Sequence, residues 1–211
     1  MGLLGDLLYP PYARCFGCGH PRLDAAGDHL CAPCREKLRS LALSSVPFFV
    51  EGVEKVYAPY PYEGVAREIV HTLKYACVRD AAKVLGPKMA ACLDGKAFDA
   101  LVPVPLHPGR LAERGFNQAE LLANAVAEIT KTPVLPALSR LRETGQQAKL
   151  SRAGRLTNME GAFQCTQSVK GMRLLLVDDV STTGATAHAC ARELYAAGAK
   201  QVSLLAAAVT L

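Results

Sequence analysis

The sequence has no apolar run long enough to cross a bilayer, no internal repeat period and no low-complexity tract. The first absence argues against an integral membrane protein, the second against a solenoid, the third against a disordered arm. The opening MGLLGDLLYPPYARC is apolar, but it is short, lacks a basic lead-in and is interrupted by Asp6, Pro10 and Pro11. It reads as a packed segment rather than a signal peptide. Asp6 also occupies the position where a myristoylation signal requires Ser or Thr. No G-x-x-x-x-G-K-[ST] run occurs, which excludes a P-loop ATPase. Charge of one sign is in only mild excess, a formal +5, compatible with phosphate-bearing ligands, with nucleic acid or with neither.

What is present fits a globular protein. The 211 residues leave room for one ordinary domain and a small appended module, and half of them are hydrophobic. Eight cysteines without a secretion signal point to metal binding or buried thiols in a cytoplasmic setting. Four stand in two pairs, Cys15 and Cys18, then Cys31 and Cys34, as C-x2-C-x12-C-x2-C. A two-residue gap lets both thiolates of one tight turn face the same cation, and Gly17 and Gly19 permit that turn. Two such knuckles close a tetrahedral site, for which zinc is the expected occupant and iron the alternative. Arg14, Arg22 and Arg35 can offset the thiolate charge, contact phosphate or simply face solvent. His20 and His29 are spare ligands. The segment is too short to bury its own core, so a metal is expected to hold it folded. Loss of a ligand would then unfold residues 1–50 and leave the rest intact. Cys77, Cys92, Cys165 and Cys190 are isolated and are expected to act as small buried hydrophobes.

Residues 51–211 form a second unit with strand–helix alternation. Helices are expected over 65–75, 80–94, 117–128 and 184–197, strands over 101–105, 172–177 and 201–209, with a short aromatic stretch over 56–62. Asn117 can cap its helix, with Glu120 completing a capping-box-like pair. The alternation predicts an α/β fold: a mostly parallel sheet with helices on both faces. Ligands gather at the carboxyl ends of the strands in such sheets.

The most informative run is LLLVDDVSTTGAT, Leu174 to Thr186. An apolar strand delivers Asp178 and Asp179, and the small-residue turn Val180, Ser181, Thr182, Thr183, Gly184 leads through Ala185 and Thr186 into a helix. Unpaired N–H groups at the helix start and the threonine hydroxyls suit a phosphate dianion. Carboxylates beside it repel phosphate unless they face ribose hydroxyls or Mg²⁺.

This run resembles the signature that binds 5-phosphoribosyl 1-pyrophosphate (PRPP) in type I phosphoribosyltransferases. Together with LVPVPLHPGRLAERGFNQAELLA from Leu101, QQAKLSRAGRLTNMEGAF from Gln146 and the CFGCG…CAPC module, it resembles the ComF family of competence-associated proteins, GntX-like members included. The resemblance implies a zinc module followed by a type I phosphoribosyltransferase domain that uses PRPP and Mg²⁺. It also implies a role in handling single-stranded DNA during natural transformation, beside a helicase or uptake-machinery partner. By the same resemblance Asp178 and Asp179 address the ribose, and residues 180–186 the 5-phosphate. Residues 104–110 become the pyrophosphate loop, with Arg110 and His107 as contacts, and residues 142–158 the covering loop. Lys149, Arg152 and Arg155 make that loop basic, suited to pyrophosphate, to a DNA backbone or to solvent alone, while its lack of rings disfavours base stacking. Lys74 and Arg114, Asn117 and Gln118 belong to the family pattern without an assigned chemistry. Two other readings stay open: a transferase acting on a small base or amine with no DNA role, and a non-catalytic sensor of PRPP or phosphate.

Overall fold

The computed structural model of the chain describes residues 14–22, 29–75, 79–142 and 161–211. In order, the elements are α1 (Ala32–Ser40), β1 (Val56–Tyr57), β2 (Tyr60–Pro61), α2 (Gly64–Tyr75), α3 (Ala81–Ala91), β3 (Ala100–Pro103), α4 (Pro108–Arg114), α5 (Gln118–Thr130), β4 (Leu138–Arg140), β5 (Phe163–Cys165), β6 (Arg173–Ser181), α6 (Ala185–Ala196) and β7 (Gln201–Val209). β1, β7, β6 and β3 lie side by side in that order, all parallel, and β2 extends β1 along the same edge of β7. β4 and β5 form a separate antiparallel pair. The parallel α/β sheet expected from the alternation is observed.

The sheet is covered on both faces because its central strands carry continuous apolar runs, Leu174–Val177 in β6 and Leu204–Val209 in β7. Alternate residues point opposite ways. Leu175, Val177, Leu205 and Ala207 face one core with α2, α3 and α5. Leu174, Leu176, Val202, Leu204 and Ala206 face the other, with α6, the β4–β5 pair and residues 46–53. Residues of α2 at helical spacing, Val65, Ile69, Val70 and Leu73, are buried, which leaves Lys74 at the rim of its apolar stripe.

The cysteine segment has no core of its own. Cys15, Phe16, Leu30, Cys34 and Leu38 join the same buried cluster as α2 and α3. Thr72 Oγ1 of α2 donates to the Phe16 carbonyl at 3.3 Å. A Cβ at Gly17 would lie 2.8 Å from Val65 Cγ1 and 3.0 Å from Cys34 Sγ, so only glycine fits where the knuckle rests on α2.

Some local expectations need correction. Asn117 does cap α5, accepting from the Ala119 N–H at 3.1 Å, but its amide donates to the Val104 carbonyl at 3.0 Å. Among the described residues Glu120 makes no reciprocal bond, so the cap ties α5 to the end of β3 instead of closing a box. The segment following Val104 is not loop throughout: Pro108 starts α4, and Arg110 is an exposed residue of its first turn. Proline at N1 gives up no helical hydrogen bond, which explains that start. Cys190 is buried as expected, whereas Cys92 and Cys165 are half-buried and donate to the Lys88 and Gln167 carbonyls. Cys77, Lys149, Arg152 and Arg155 lie outside the described residues.

Candidate functional site

The carboxyl end of β6 carries Asp178 and Asp179 into the turn that starts α6. The Asp179 N–H donates to Asp178 Oδ1 at 2.8 Å, which fixes one carboxylate relative to the other. Lys74 Nζ, from the last turn of α2, lies 2.9 Å from Asp179 Oδ1. Burial and then the Asp179 charge push the Asp178 carboxyl up to about 7, against the pull of Lys74 and of Arg140. Burial works against the charge on Lys74, but attraction to Asp179 outweighs it and the ammonium is held above its usual range.

The turn is shaped from behind. Gly184, the residue that caps α6, has φ +78°, and a Cβ there would stand 2.5 Å from Val50 Cγ2. Glycine alone meets both conditions. Glu51, the residue after Val50, offers its carbonyl to His188 Nδ1 at 2.7 Å, so that nitrogen carries the proton. Ser181 lies buried, its carbonyl accepting from the Thr210 N–H at 3.0 Å. In front of the turn is a cavity of about 250 Å³ lined by Tyr62, Lys74, Asp178 and residues 180–186. The structure thus brings together all seven turn residues expected there, Val180 to Thr186, with Asp178. His107 plays a local role: its Nδ1 accepts the Gly109 N–H at 3.2 Å and caps α4.

In the segment that rests on α2, the Sγ atoms of Cys15, Cys18, Cys31 and Cys34 all lie within 4.8 Å of one another, an arrangement that could hold a metal ion. Cys18 and Cys31 Sγ are 3.9 Å apart, close to the ~3.8 Å between ligands of a tetrahedral ion with metal–sulfur bonds of about 2.3 Å. Burial raises the Cys15 thiol, but N–H groups of Cys31, Gly17 and Cys18 outweigh it and bring it down to about 7. Cys18 and Cys34 are pushed up, first by burial and then by neighbouring sulfurs. Four thiolates this close repel one another unless a cation joins them, which is the chemistry of a closed metal knuckle. His29 is no ligand here; its ring stacks on Phe16, centroids 4.7 Å apart. Arg35 donates to the Leu30 carbonyl at 2.9 Å, beside Cys31.

No protein-family model matches the chain. Competence protein ComFC of Bacillus subtilis (strain 168) is 32% identical over 186 residues, which cover 86% of this chain and 71% of that protein. The chain belongs to the ComF family. Competence protein F of Haemophilus influenzae is 32% identical over 136 residues, 63% of this ComF-family chain and 56% of the relative. DNA utilization protein YhgH of Escherichia coli (strain K12) is 36% identical over 107 residues, 50% of this chain and 47% of the relative. Among solved structures, a purine phosphoribosyltransferase from Pyrococcus horikoshii overlaps 64% of this chain and 75% of its own at 18% identity and a TM-score of 0.38; so loose an overlap adds nothing to the assignment.

Three neighbours of the ComF-family acid pair were invisible or faint in the sequence. Tyr62 stands out only as one ring of an aromatic stretch, and Arg140, whose charge reaches Asp178, sits in an unremarked LSRLR run. Lys74 carries the family pattern, yet a lone lysine on a helix says nothing of where it points. No helix among the described residues is long and apolar enough to cross a membrane.

Proposed function

We propose that this chain binds a ribose 5-phosphate group, with PRPP and Mg²⁺ as the full ligand, and works in handling single-stranded DNA during uptake, in the cytoplasm. The observation that carries the ligand is the cavity between Lys74, Asp178 and the turn 180–186, where a carboxylate, a cation and a hydroxyl-rich helix start meet. Asp178 and Asp179 accept from the ribose hydroxyls, and Thr182, Thr183 and Thr186 with the N–H groups of the turn donate to the 5-phosphate. Arg110 and His107 serve the pyrophosphate, and Lys149, Arg152 and Arg155 cover it. Zinc holds Cys15, Cys18, Cys31 and Cys34, since four thiolates select it over hard cations. Transfer requires no protein nucleophile. A nitrogen lone pair bonds to the anomeric carbon as the C–O bond to pyrophosphate breaks, pyrophosphate leaves with the bonding electrons, and the nitrogen gives its proton to water; Mg²⁺, when bound, would offset the charge of the leaving group.

PRPP or ribose 5-phosphate with Mg²⁺ is expected to raise the melting temperature. Binding to the native state alone adds about 2.7 kcal/mol at a hundredfold excess over Kd, or roughly 5–10 °C for a chain of this length. Asp178→Asn with Asp179→Asn should abolish that shift; a shift that persists would send the ligand elsewhere. Asp178→Asn alone serves as the folding control. The raised Asp178 pKa stabilises the native state most below 3.8, and this is lost as pH rises through about 7, so at pH 8 the single variant should be no less stable than wild type.

Single-stranded DNA binding should weaken with salt, with a slope near −0.7 per phosphate neutralised. Replacing Lys149, Arg152 and Arg155 by Ala is expected to flatten the slope by up to about two units. Absence of binding even at low salt would remove direct DNA contact and favour a partner, such as a helicase or uptake component, as the link. Pyrophosphate exchange into PRPP across bases and amines would then separate a transferase from a sensor.

A further inference from the structure

Among the described residues that line the cavity, Lys74 is the one cation. It is not a surface ion pair. Its side chain is 20% exposed and that of Asp179 13%, with 2.9 Å between Nζ and Oδ1. An exposed pair of this kind has little effect, and a shielded one is weak evidence for stability, because desolvation offsets the attraction. Its position against a ligand cavity is therefore the more telling fact. Lys74 reaches the site from the rim of a helix stripe that Ile69, Val70 and Leu73 anchor in the core, so the ammonium is delivered by a rigid element.

Charge balance indicates what the ammonium does. Asp178 lines the cavity, Asp179 stands next to it in β6 against Lys74, and to these carboxylates a phosphate group adds up to two further negative charges. Left alone, that arrangement rejects the ligand unless a cation enters first. Lys74 has three N–H donors and spends one on Asp179, so two remain for an oxygen in the cavity it lines. Asp178, in turn, is held by the Asp179 N–H, and the three groups form one chain from α2 to the turn.

Resting on the ribose-phosphate reading of this cavity, we infer that Lys74 is a resident counter-ion: it keeps the acid pair aligned in the empty protein and shares its charge with the incoming phosphate, so that a ribose 5-phosphate group binds without a divalent cation. Arg140 contributes to the field at Asp178 from the β4–β5 pair, but it is not among the residues lining the cavity.

The test is titration calorimetry of the full, metal-loaded chain with ribose 5-phosphate, with and without added Mg²⁺. Wild type is expected to bind in both buffers with Kd values within about threefold. Lys74→Gln should lose at least thirtyfold in affinity without Mg²⁺ and regain most of it when Mg²⁺ replaces the missing charge. Lys74→Arg should keep binding that is largely independent of Mg²⁺, and its melting curve, with that of Lys74→Gln, reports folding separately. A purely structural lysine gives a different pattern: Lys74→Gln weakened by the same factor in both buffers, which overturns the inference. Wild-type binding that appears only with Mg²⁺ overturns it too and leaves the ribose-phosphate site standing. No binding by wild type in either buffer overturns the site and the inference together.

Discussion

Cys31→Ser is expected to release the metal and to lower the melting temperature of the whole chain by roughly 10 °C, not to melt a detached module. Cys31 is both one of the four clustered thiols and the N-cap residue of α1, and its N–H donates to Cys15 Sγ at 3.3 Å. A four-ligand zinc site supplies about 10–16 kcal/mol to an isolated finger. Here the body braces the segment, so only part of that is lost, and several kcal/mol at about 2–4 °C each gives the stated shift. The damage spreads because Phe16, Cys34 and Leu38 share one core with Ile69 and Leu73, and because Thr72 bonds to the Phe16 carbonyl. Metal analysis should fall from one equivalent to well below one. Hydrogen exchange should show α2 amides losing protection along with α1. If α2 keeps its protection while α1 loses it, the two are independent and the shared core counts for little.

Gly184→Ala should be nearly as damaging, and its effect should reach the ligand. Alanine at φ +78° carries a left-handed penalty of about 1 kcal/mol. Its methyl carbon would also meet Val50 Cγ2 at 2.5 Å, and relieving such overpacking costs about 1–3 kcal/mol more. A destabilisation of about 2–4 kcal/mol follows. Either the turn or residues 46–53 must move, so ribose 5-phosphate affinity should drop more than tenfold. Val50→Ala in the same chain removes the collision but not the dihedral penalty. It should restore part of the stability, a non-additivity measurable by denaturant titration of the four combinations. Wild-type affinity in Gly184→Ala would mean that the turn does not cradle phosphate.

Both variants probe contacts that no local pattern announces. β6 and β7 were legible because a strand covered on both faces carries a continuous apolar run; Gln201–Val209 emerges with the bounds the sequence suggests, whereas β6 continues past Val177 through Asp178 and Asp179 to Ser181. α5 and α6 were legible from periodicity and from their starts, where Asn117 and Gly184 cap as their chemistry requires. The start of α4 was missed because His107, Pro108 and Gly109 suit a turn as well as a helix entry, and histidine is not among the side chains that commonly cap a helix start.

The sequence by itself determined which donor groups stand together: four thiols at knuckle spacing, and two carboxylates followed by a hydroxyl-rich turn. Those depend on residues close together in the chain, where spacing dictates geometry. Tertiary structure alone decided what these groups meet. Lys74 reaches Asp179 because α2 packs on the same face of the sheet as Leu175 and Val177. Val50 supports Gly184 because residues 46–53 pack on the opposite face with α6. Such pairings follow from how two apolar faces are filled, and many sequences with the same local pattern would fill them differently.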